Sequence, residues 1–220
     1  MMCRMKLVDL SQTIHAGMPR IHVLPEVDFR AIRRIDQGHP LNISELTIAT
    51  HAGTHVDAPW HFVPNGRTIE QIPLDDLCGT AVIVPVQRAG GEPIPAADLE
   101  QSPEPIRPGD IVVLATGWGA KFHTPEYDLH PYISEEAAHW LVERKVKVLG
   151  VDMITVDLPT SMRPKPFSYP AHHILLGNNV LIIENLTNVQ ELAGRRVKLY
   201  AFPLGIRGSD AGQARVVAEV

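Results

Sequence analysis

Between positions 51 and 61 the chain carries three histidines and an aspartate, in the run His51-Ala52-Gly53-Thr54-His55-Val56-Asp57-Ala58-Pro59-Trp60-His61. Imidazole and carboxylate together are the donors that Zn²⁺, Mn²⁺ and Fe²⁺ take. The spacing of four between His51 and His55 would put both on one face of a helix, with Cβ atoms roughly 5–6 Å apart. That distance suits two nitrogens meeting one ion at about 2.0–2.1 Å each. Pro59 and Gly53 work against a helix here. A strand end followed by a tight turn or a single helical turn fits better. His51 then sits at the strand tip, and Gly53 lets the backbone fold back so that His55 and Asp57 converge on it. The alternative is a solvated polar loop, and three histidines with an acid at the end of an apolar strand argue against it. The run is not the H-E-x-x-H motif, because Ala52 stands where the Glu general base belongs. A base must come from elsewhere, and His61 is the nearest candidate.

A second cluster lies far along the chain. His172 and His173, in PAHHILLG, precede the apolar run VLII, which Glu184 closes. A carboxylate closing such a run is expected to be partly buried and to have a cation partner, because an unpaired buried charge is costly. Other chemistries have little support. There is no G-x-S-x-G, and Gly208-Ser209-Asp210-Ala211-Gly212 only looks similar. Cys78 has no local signature of a nucleophile. The Gly117-Trp118-Gly119 loop lacks the third glycine of a dinucleotide fingerprint, since position 122 is Phe. Asp152 ends a strand and either orients a ligand from behind or forms a turn. His123, His130 and His139 are expected at the surface or packed locally.

The elements that must position these groups are mostly strands. Runs 6–10, 42–50, 80–86, 111–116, 146–151, 180–183, 198–204 and 214–220 read as strands from alternation or from continuous apolar stretches. One firm helix is expected over 134–145, with Ser134 as N-cap, Glu135 and Glu136 in its first turn, and an apolar stripe of Ala137, Ala138, Leu141 and Val142. Shorter helices are expected over 97–100 and 188–192. The class is α/β, a strand-rich mixed sheet with few helices. No linker or repeat divides the chain, so residues 1–220 are expected to form one domain.

The whole-chain properties exclude several partners. The net charge is −5 with a pI near 6.1, and no basic stripe marks a nucleic-acid surface. No stretch has the length of a signal peptide's apolar region or of a membrane span, so a cytoplasmic, soluble protein is expected. Cys3 and Cys78 form neither a disulfide framework nor a C-x-x-C pair.

Residues 51–62, HAGTHVDAPWHF, are similar to the H-x-G-T-H-x-D-x-P-x-H-F signature of the putative cyclase family of metal-dependent hydrolases, which includes bacterial kynurenine formamidases (arylformamidases) and isatin hydrolases. The resemblance extends over VDLSQTIHAGMP, the TGWG loop, SEEAAHWL, the GVD at 150–152 and the spacing of twelve between His172 and Glu184. It implies a swivelling β/β/α architecture and a homodimer or homotetramer. By position, His51, His55, Asp57, His172 and Glu184 match metal ligands, with Asp57 bridging where two ions bind, and His61 matches the catalytic acid/base. The implied cofactor is Zn²⁺ or Mn²⁺, one or two ions per subunit. The implied reaction is hydrolysis of an amide, formamide or cyclic amide, a small-molecule carbonyl substrate, by metal-activated water. The same residues would also suit a lyase or dehydratase, an ester or lactone hydrolase, or a metal or small-molecule binding protein without catalysis. Where the formamidases carry Trp-Pro-Gly, this chain reads Met18-Pro19-Arg20-Ile21. Trp60 or Trp118 would then supply a stacking face for the substrate, and Arg20 could meet a substrate carboxylate.

Overall fold

A computed structural model describes residues 6–220; Cys3 lies outside the described residues. In chain order the elements are β1 (Leu7–Asp9), β2 (Asp28–Arg33), β3 (Ile43–Thr47), β4 (His55–Asp57), β5 (Cys78–Pro85), β6 (Pro93–Ile94), α1 (Ala96–Glu100), β7 (Ile111–Ala115), β8 (Tyr132–Ile133), α2 (Glu135–Glu143), β9 (Val148–Val151), α3 (Pro170–Gly177), β10 (Leu181–Glu184), β11 (Arg196–Pro203) and β12 (Ala211–Glu219). The main sheet runs β1-β12-β11-β5-β7-β9-β10-β4, and β4 pairs back onto β12. Seven strands therefore close into a barrel, with β1 and β4 sharing the free edge of the long β12. Within this sheet β5, β7, β9 and β10 are parallel, and its other pairings are antiparallel. Each parallel neighbour needs a crossover, and α1, α2 and α3 supply the three. The mixed, sheet-dominated α/β class expected from the sequence is what is found.

Alternation along the buried strands feeds two cores. Ala81, Ile83, Ile111, Val113, Val148, Leu181 and Ile183 pack with Leu199 and Val216 inside the barrel. Val82, Val84, Val112, Leu114, Leu149, Val151 and Ile182 face outward and meet Ala137, Ala138, Leu141 and Leu175 of the helices. Helix α2 begins where the sequence places it, with the Ser134 hydroxyl accepting from Ala137 N–H at 3.1 Å. Its buried face is Ala137, Ala138 and Leu141, while Val142 is only half-buried.

Several elements differ from the sequence reading. The strand expected over 42–50 ends at Thr47, and its partner β2 was not expected. His55–Asp57 is a strand, not a turn, because its backbone pairs with both β10 and β12. Residues 170–177 form a helix that the sequence does not announce, since its N-cap, Tyr169, gives no side-chain cap.

Candidate metal centre

Strand β4 brings the first cluster to the second. His55 stands opposite Glu184 and Asp57 opposite Ile182 in antiparallel register. Because side chains alternate, His55, Asp57 and Glu184 share the face of Ile182, which packs on the helix side of the barrel. The turn ahead of β4 carries His51. Gly53 adopts φ +70° there, a conformation open to glycine at no steric cost. The Gln213 side-chain amide on β12 donates to the carbonyls of Ala49 at 2.8 Å and Thr50 at 3.0 Å. The Thr54 hydroxyl donates to the Asn185 carbonyl at 2.6 Å. The His51 turn is therefore tied to β12 and to the end of β10.

Helix α3 delivers His172. Pro170 opens the helix after Tyr169, which has φ +50°. The missing cap comes from Asp157: Oδ1 accepts from Ala171 N–H at 2.9 Å, and Oδ2 lies 2.5 Å from His172 Nδ1. One buried carboxylate thus fixes both the helix start and the imidazole. His61 ends the single 3₁₀ turn Pro59–His61. Asp210 sits immediately before β12, with Oδ2 3.0 Å from His51 Nε2 and Oδ1 accepting from the Thr50 hydroxyl at 3.0 Å.

Three imidazoles repeat one arrangement, with one nitrogen turned to an oxygen outside the cluster and the other turned inward. His51 meets Asp210 through Nε2, His55 meets the Gly53 carbonyl through Nδ1 at 2.8 Å, and His172 meets Asp157. Inward, His51 Nδ1 lies 2.8 Å and His55 Nε2 3.2 Å from Asp57 Oδ1. His172 Nε2 lies 3.4 Å from Glu184 Oε1 and 3.7 Å from Asp57 Oδ2. His55 Nε2 is 3.6 Å from Glu184 Oε2. Despite this crowding, His55 Nε2 and both Asp57 oxygens are buried with no aligned hydrogen-bond partner among the described residues. Buried orphan donors and acceptors are rare. An inward-facing set of carboxylate oxygens and of imidazole nitrogens whose rings are each steadied from behind is the donor chemistry of a divalent cation site.

The electrostatics agree. Burial opposes charge on His51, yet Asp57 and Asp210 raise its pKa to about 10. Burial also opposes charge on His172, and Asp157, Asp57 and Glu184 raise it well above the ordinary value. Burial pushes Asp57 up, and His55 and His51 outweigh it, holding the carboxyl well below its usual range. His51 and Thr50 hold Asp210 low despite partial burial. The cluster thus concentrates negative charge that draws cations to itself. His61 behaves oppositely. Burial, joined by the positive charge of His51 and His172, outweighs Asp57 and lowers its pKa to about 4, so it is neutral at neutral pH. It stacks on His51 with ring centroids 3.9 Å apart, and its Nδ1 is 3.8 Å from Asp210 Oδ2.

The cluster opens into a cavity of about 190 Å³ whose apolar wall includes Ile21, Val23, Leu24, Phe62 and Tyr169, with Arg163 beside them. The structure gathers His51, His55, Asp57, His61, His172 and Glu184, and leaves His173 exposed. It does not bring the expected stacking residues to the wall. Trp60 is 46% exposed and Trp118 is buried, its indole N–H donating to the carbonyls of Glu126 and Tyr127. Phe62 and Tyr169 hold the wall instead. Arg20 is engaged with the Leu24 carbonyl and Glu26, both at 3.0 Å. Asp152 forms the turn, accepting from the Thr116 and Gly117 amides. His123 and His139 are exposed, whereas His130 is fully buried. Two carboxylates escape a sequence reading, Asp157 and Asp210. For Asp210 the available signal was an acid leading directly into an apolar strand.

The family model described as Putative cyclase matches residues 8–158. The chain is 31% identical over 212 residues to the kynurenine formamidase of Erythrobacter litoralis (strain HTCC2594), covering 96% of this chain and 93% of that protein. It is similar in structure to isatin hydrolase A from Ralstonia solanacearum, with a TM-score of 0.85 at 26% identity, covering 98% of this chain and 92% of that one. It is also similar to a protein described as a predicted metal-dependent hydrolase from Bacillus stearothermophilus, with a TM-score of 0.80 at 27% identity and 99% coverage of both chains.

Proposed function

Because the chain belongs to the Putative cyclase family, we propose that it is a metal-dependent hydrolase of amides, formamides or cyclic amides, with the histidine–carboxylate cluster as its centre. The observation that carries this reading is the set of inward-facing nitrogens and oxygens from β4, β10, α3 and the His51 turn, buried and in part without partners. His51, His55, Asp57, His172 and Glu184 would hold Zn²⁺ or Mn²⁺, and Asp57, which has an oxygen toward His51 and His55 and another toward His172, suits one ion or two. A bound divalent cation supplies Lewis acidity, polarising a carbonyl and making water acidic enough to lose a proton near neutral pH. His61, neutral and at the mouth of the cluster, takes a proton from the attacking water and returns it to the leaving nitrogen. Asp210 steadies His51 and lies beside His61 for the same step. Phe62, Tyr169, Val23 and Leu24 hold the apolar body of the substrate and limit bulk water around the scissile bond.

The kynurenine formamidase and isatin hydrolase relatives support C–N bond cleavage, and the apolar, aromatic wall supports an aryl-bearing carbonyl compound. No described helix is long and apolar enough to cross a membrane. The hairpin β2–β3 is exposed along nearly its whole length, including Phe29, Ile32 and Leu46; this supports a homodimer or homotetramer. The test is elemental analysis of the purified protein, followed by assays on aryl formamides, lactams and cyclic imides with the detected ion restored. His61→Ala should retain the ion and lose at least about 100-fold in kcat. Wild-type turnover by His61→Ala would overturn its role, and a protein that binds no divalent ion would overturn the whole reading.

A further inference from the structure

Two side chains of the metal centre meet at the end of a ladder. β4 and β10 pair residue by residue, and the last pair is His55 with Glu184. The next pair would be Thr54 with Asn185, and the ladder stops short of it. Asn185 turns away in a left-handed backbone, φ +59°, a region that asparagine enters more readily than most side chains. Side chains close the gap instead. The Thr54 hydroxyl donates to the Asn185 carbonyl at 2.6 Å and accepts from the Gln12 amide at 2.8 Å. The Asn185 amide donates to the Met153 carbonyl at 2.8 Å. One buried residue therefore sets where β10 ends and how β4 is held beside it.

What holds the Asn185 side chain comes from a distant part of the chain. Tyr127, in the 3₁₀ segment Pro125–Leu129, reaches in with a fully buried ring, and its hydroxyl donates to Asn185 Oδ1 at 3.0 Å. Tyr127 is itself well anchored. Its N–H donates to the Thr124 carbonyl at 3.1 Å, and its carbonyl accepts from the Trp118 indole at 3.2 Å. Its ring packs edge-on against Phe122, with centroids 5.2 Å apart. Burial, joined by the charges of Asp152 and Glu184, holds the phenol well above its ordinary pKa, so it stays a donor at neutral pH. None of this packing needs the hydroxyl, since a phenylalanine would fill nearly the same volume. Among the described residues the one hydrogen-bond partner of that hydroxyl is the side chain next to Glu184.

We propose that Tyr127 is a positioning residue of the metal centre: through Asn185 it fixes the spacing of the His55–Glu184 pair, and with it the affinity of the site for a divalent ion. The proposal rests on the metal-site reading above and adds to it a residue that makes no hydrogen bond to any of the ligands. Without the hydroxyl, Asn185 Oδ1 is left buried with no donor, which a folded chain tolerates poorly. Asn185 relieves this by turning its amide or by leaving the left-handed region. Either movement shifts the end of β10, and the Glu184 carboxylate moves relative to His55.

The test measures Zn²⁺ affinity by competition with a chelator, at a temperature where circular dichroism shows each protein folded. Tyr127→Phe should bind Zn²⁺ about 10-fold more weakly than the wild type, the low end of the range for groups that orient metal ligands from outside. Asn185→Gly keeps the left-handed backbone open at no steric cost and removes the acceptor, so it should show a similar loss. Adding Tyr127→Phe to Asn185→Gly should then cost almost nothing more. Equal losses from Tyr127→Phe in both backgrounds would mean that the hydroxyl does not act through Asn185, and the proposal fails. Phe122→Leu is the control: it loosens the packing around the Tyr127 ring without touching the hydrogen bond. It should lower the melting temperature and leave Zn²⁺ affinity at the wild-type value; a loss matching that of Tyr127→Phe would make packing the cause and overturn the proposal. The visible spectrum of bound Co²⁺, which reports ligand geometry, should change in Tyr127→Phe and Asn185→Gly and not in Phe122→Leu. If Tyr127→Phe does not fold, Asn185→Gly decides alone, and a wild-type affinity and spectrum there overturn the proposal. A wild-type protein that binds no divalent ion overturns the metal-site reading and this proposal together. One that binds an ion no better than Tyr127→Phe overturns only the role of Tyr127.

Discussion

At the scale of single residues, the oxygen behind each imidazole decides how well the cluster is preorganised. Asp157 shows this most plainly because its two oxygens have separate tasks, Oδ1 with the Ala171 amide and Oδ2 with His172 Nδ1. An asparagine in its place offers only one oxygen. Either the helix start or the imidazole must lose its acceptor, and the ring also loses a charged partner. Asp157→Asn should therefore weaken binding of Zn²⁺ or Mn²⁺ by about 10- to 100-fold, the range seen when the group behind a ligating histidine is removed. Competition with a chelator of known affinity measures it, and circular dichroism separates loss of affinity from loss of fold. An unchanged affinity would mean that His172 is not a ligand or needs no support. The gathered histidines and Glu184 were legible in the sequence because metal donors cluster by type and because an acid closing an apolar run has to be explained. Asp157 was not, since it lies in the plain stretch Thr155-Val156-Asp157-Leu158 and its partner is set only when α3 docks.

Elements carry the next level of the argument. The long buried strands announce themselves by composition, and α2 by its cap and stripe. β4 has three residues, too few for alternation to show, and it becomes a strand only because β10 and β12 both offer edges to it. α3 was hidden for a related reason: its stabilising cap comes from Asp157 rather than from the residue before it. The geometry of β4 depends on the turn that feeds it. At Gly53 (φ +70°) an added Cβ would also stand 3.1 Å from Met18 Cε. Forcing an L residue into this region costs about 1–2 kcal/mol. Gly38, at φ +83° with open space around it, is the matched control on the β2–β3 hairpin. Gly53→Ala and Gly38→Ala should lower the melting temperature by comparable amounts, whereas only Gly53→Ala should reduce metal affinity, because it alone twists the link between His51 and His55. Equal metal affinity in the two variants would detach the turn from the site.

For the molecule as a whole, closure of the barrel places residues from the first quarter of the chain against its last strands, so the site and the fold share their stability. A fold packed this tightly also buries groups that have no part in the cluster, and His130 is one. It is fully buried, its Nδ1 lies 2.7 Å from the Pro131 carbonyl, and its Nε2 has no partner among the described residues. Burial lowers its pKa to about 4, and the nearby charge of Arg163 acts in the same direction against the Pro131 carbonyl. An unfolded histidine titrates near 6.5. Below that value the unfolded chain takes up a proton that the folded chain refuses, so stability present above about pH 6.5 is lost as the pH falls toward about 4. A shift of this size corresponds to about 3 kcal/mol at the acid end. His130→Gln removes that proton from the balance. Urea unfolding of both proteins at pH 7, 5.5 and 4.5 isolates it, because the acids and histidines of the metal centre titrate alike in each and cancel in the difference. The stability gap between wild type and variant should move in the variant's favour as the pH falls through this window. A gap that stays constant with pH would mean that His130 is protonated as readily in the fold as outside it.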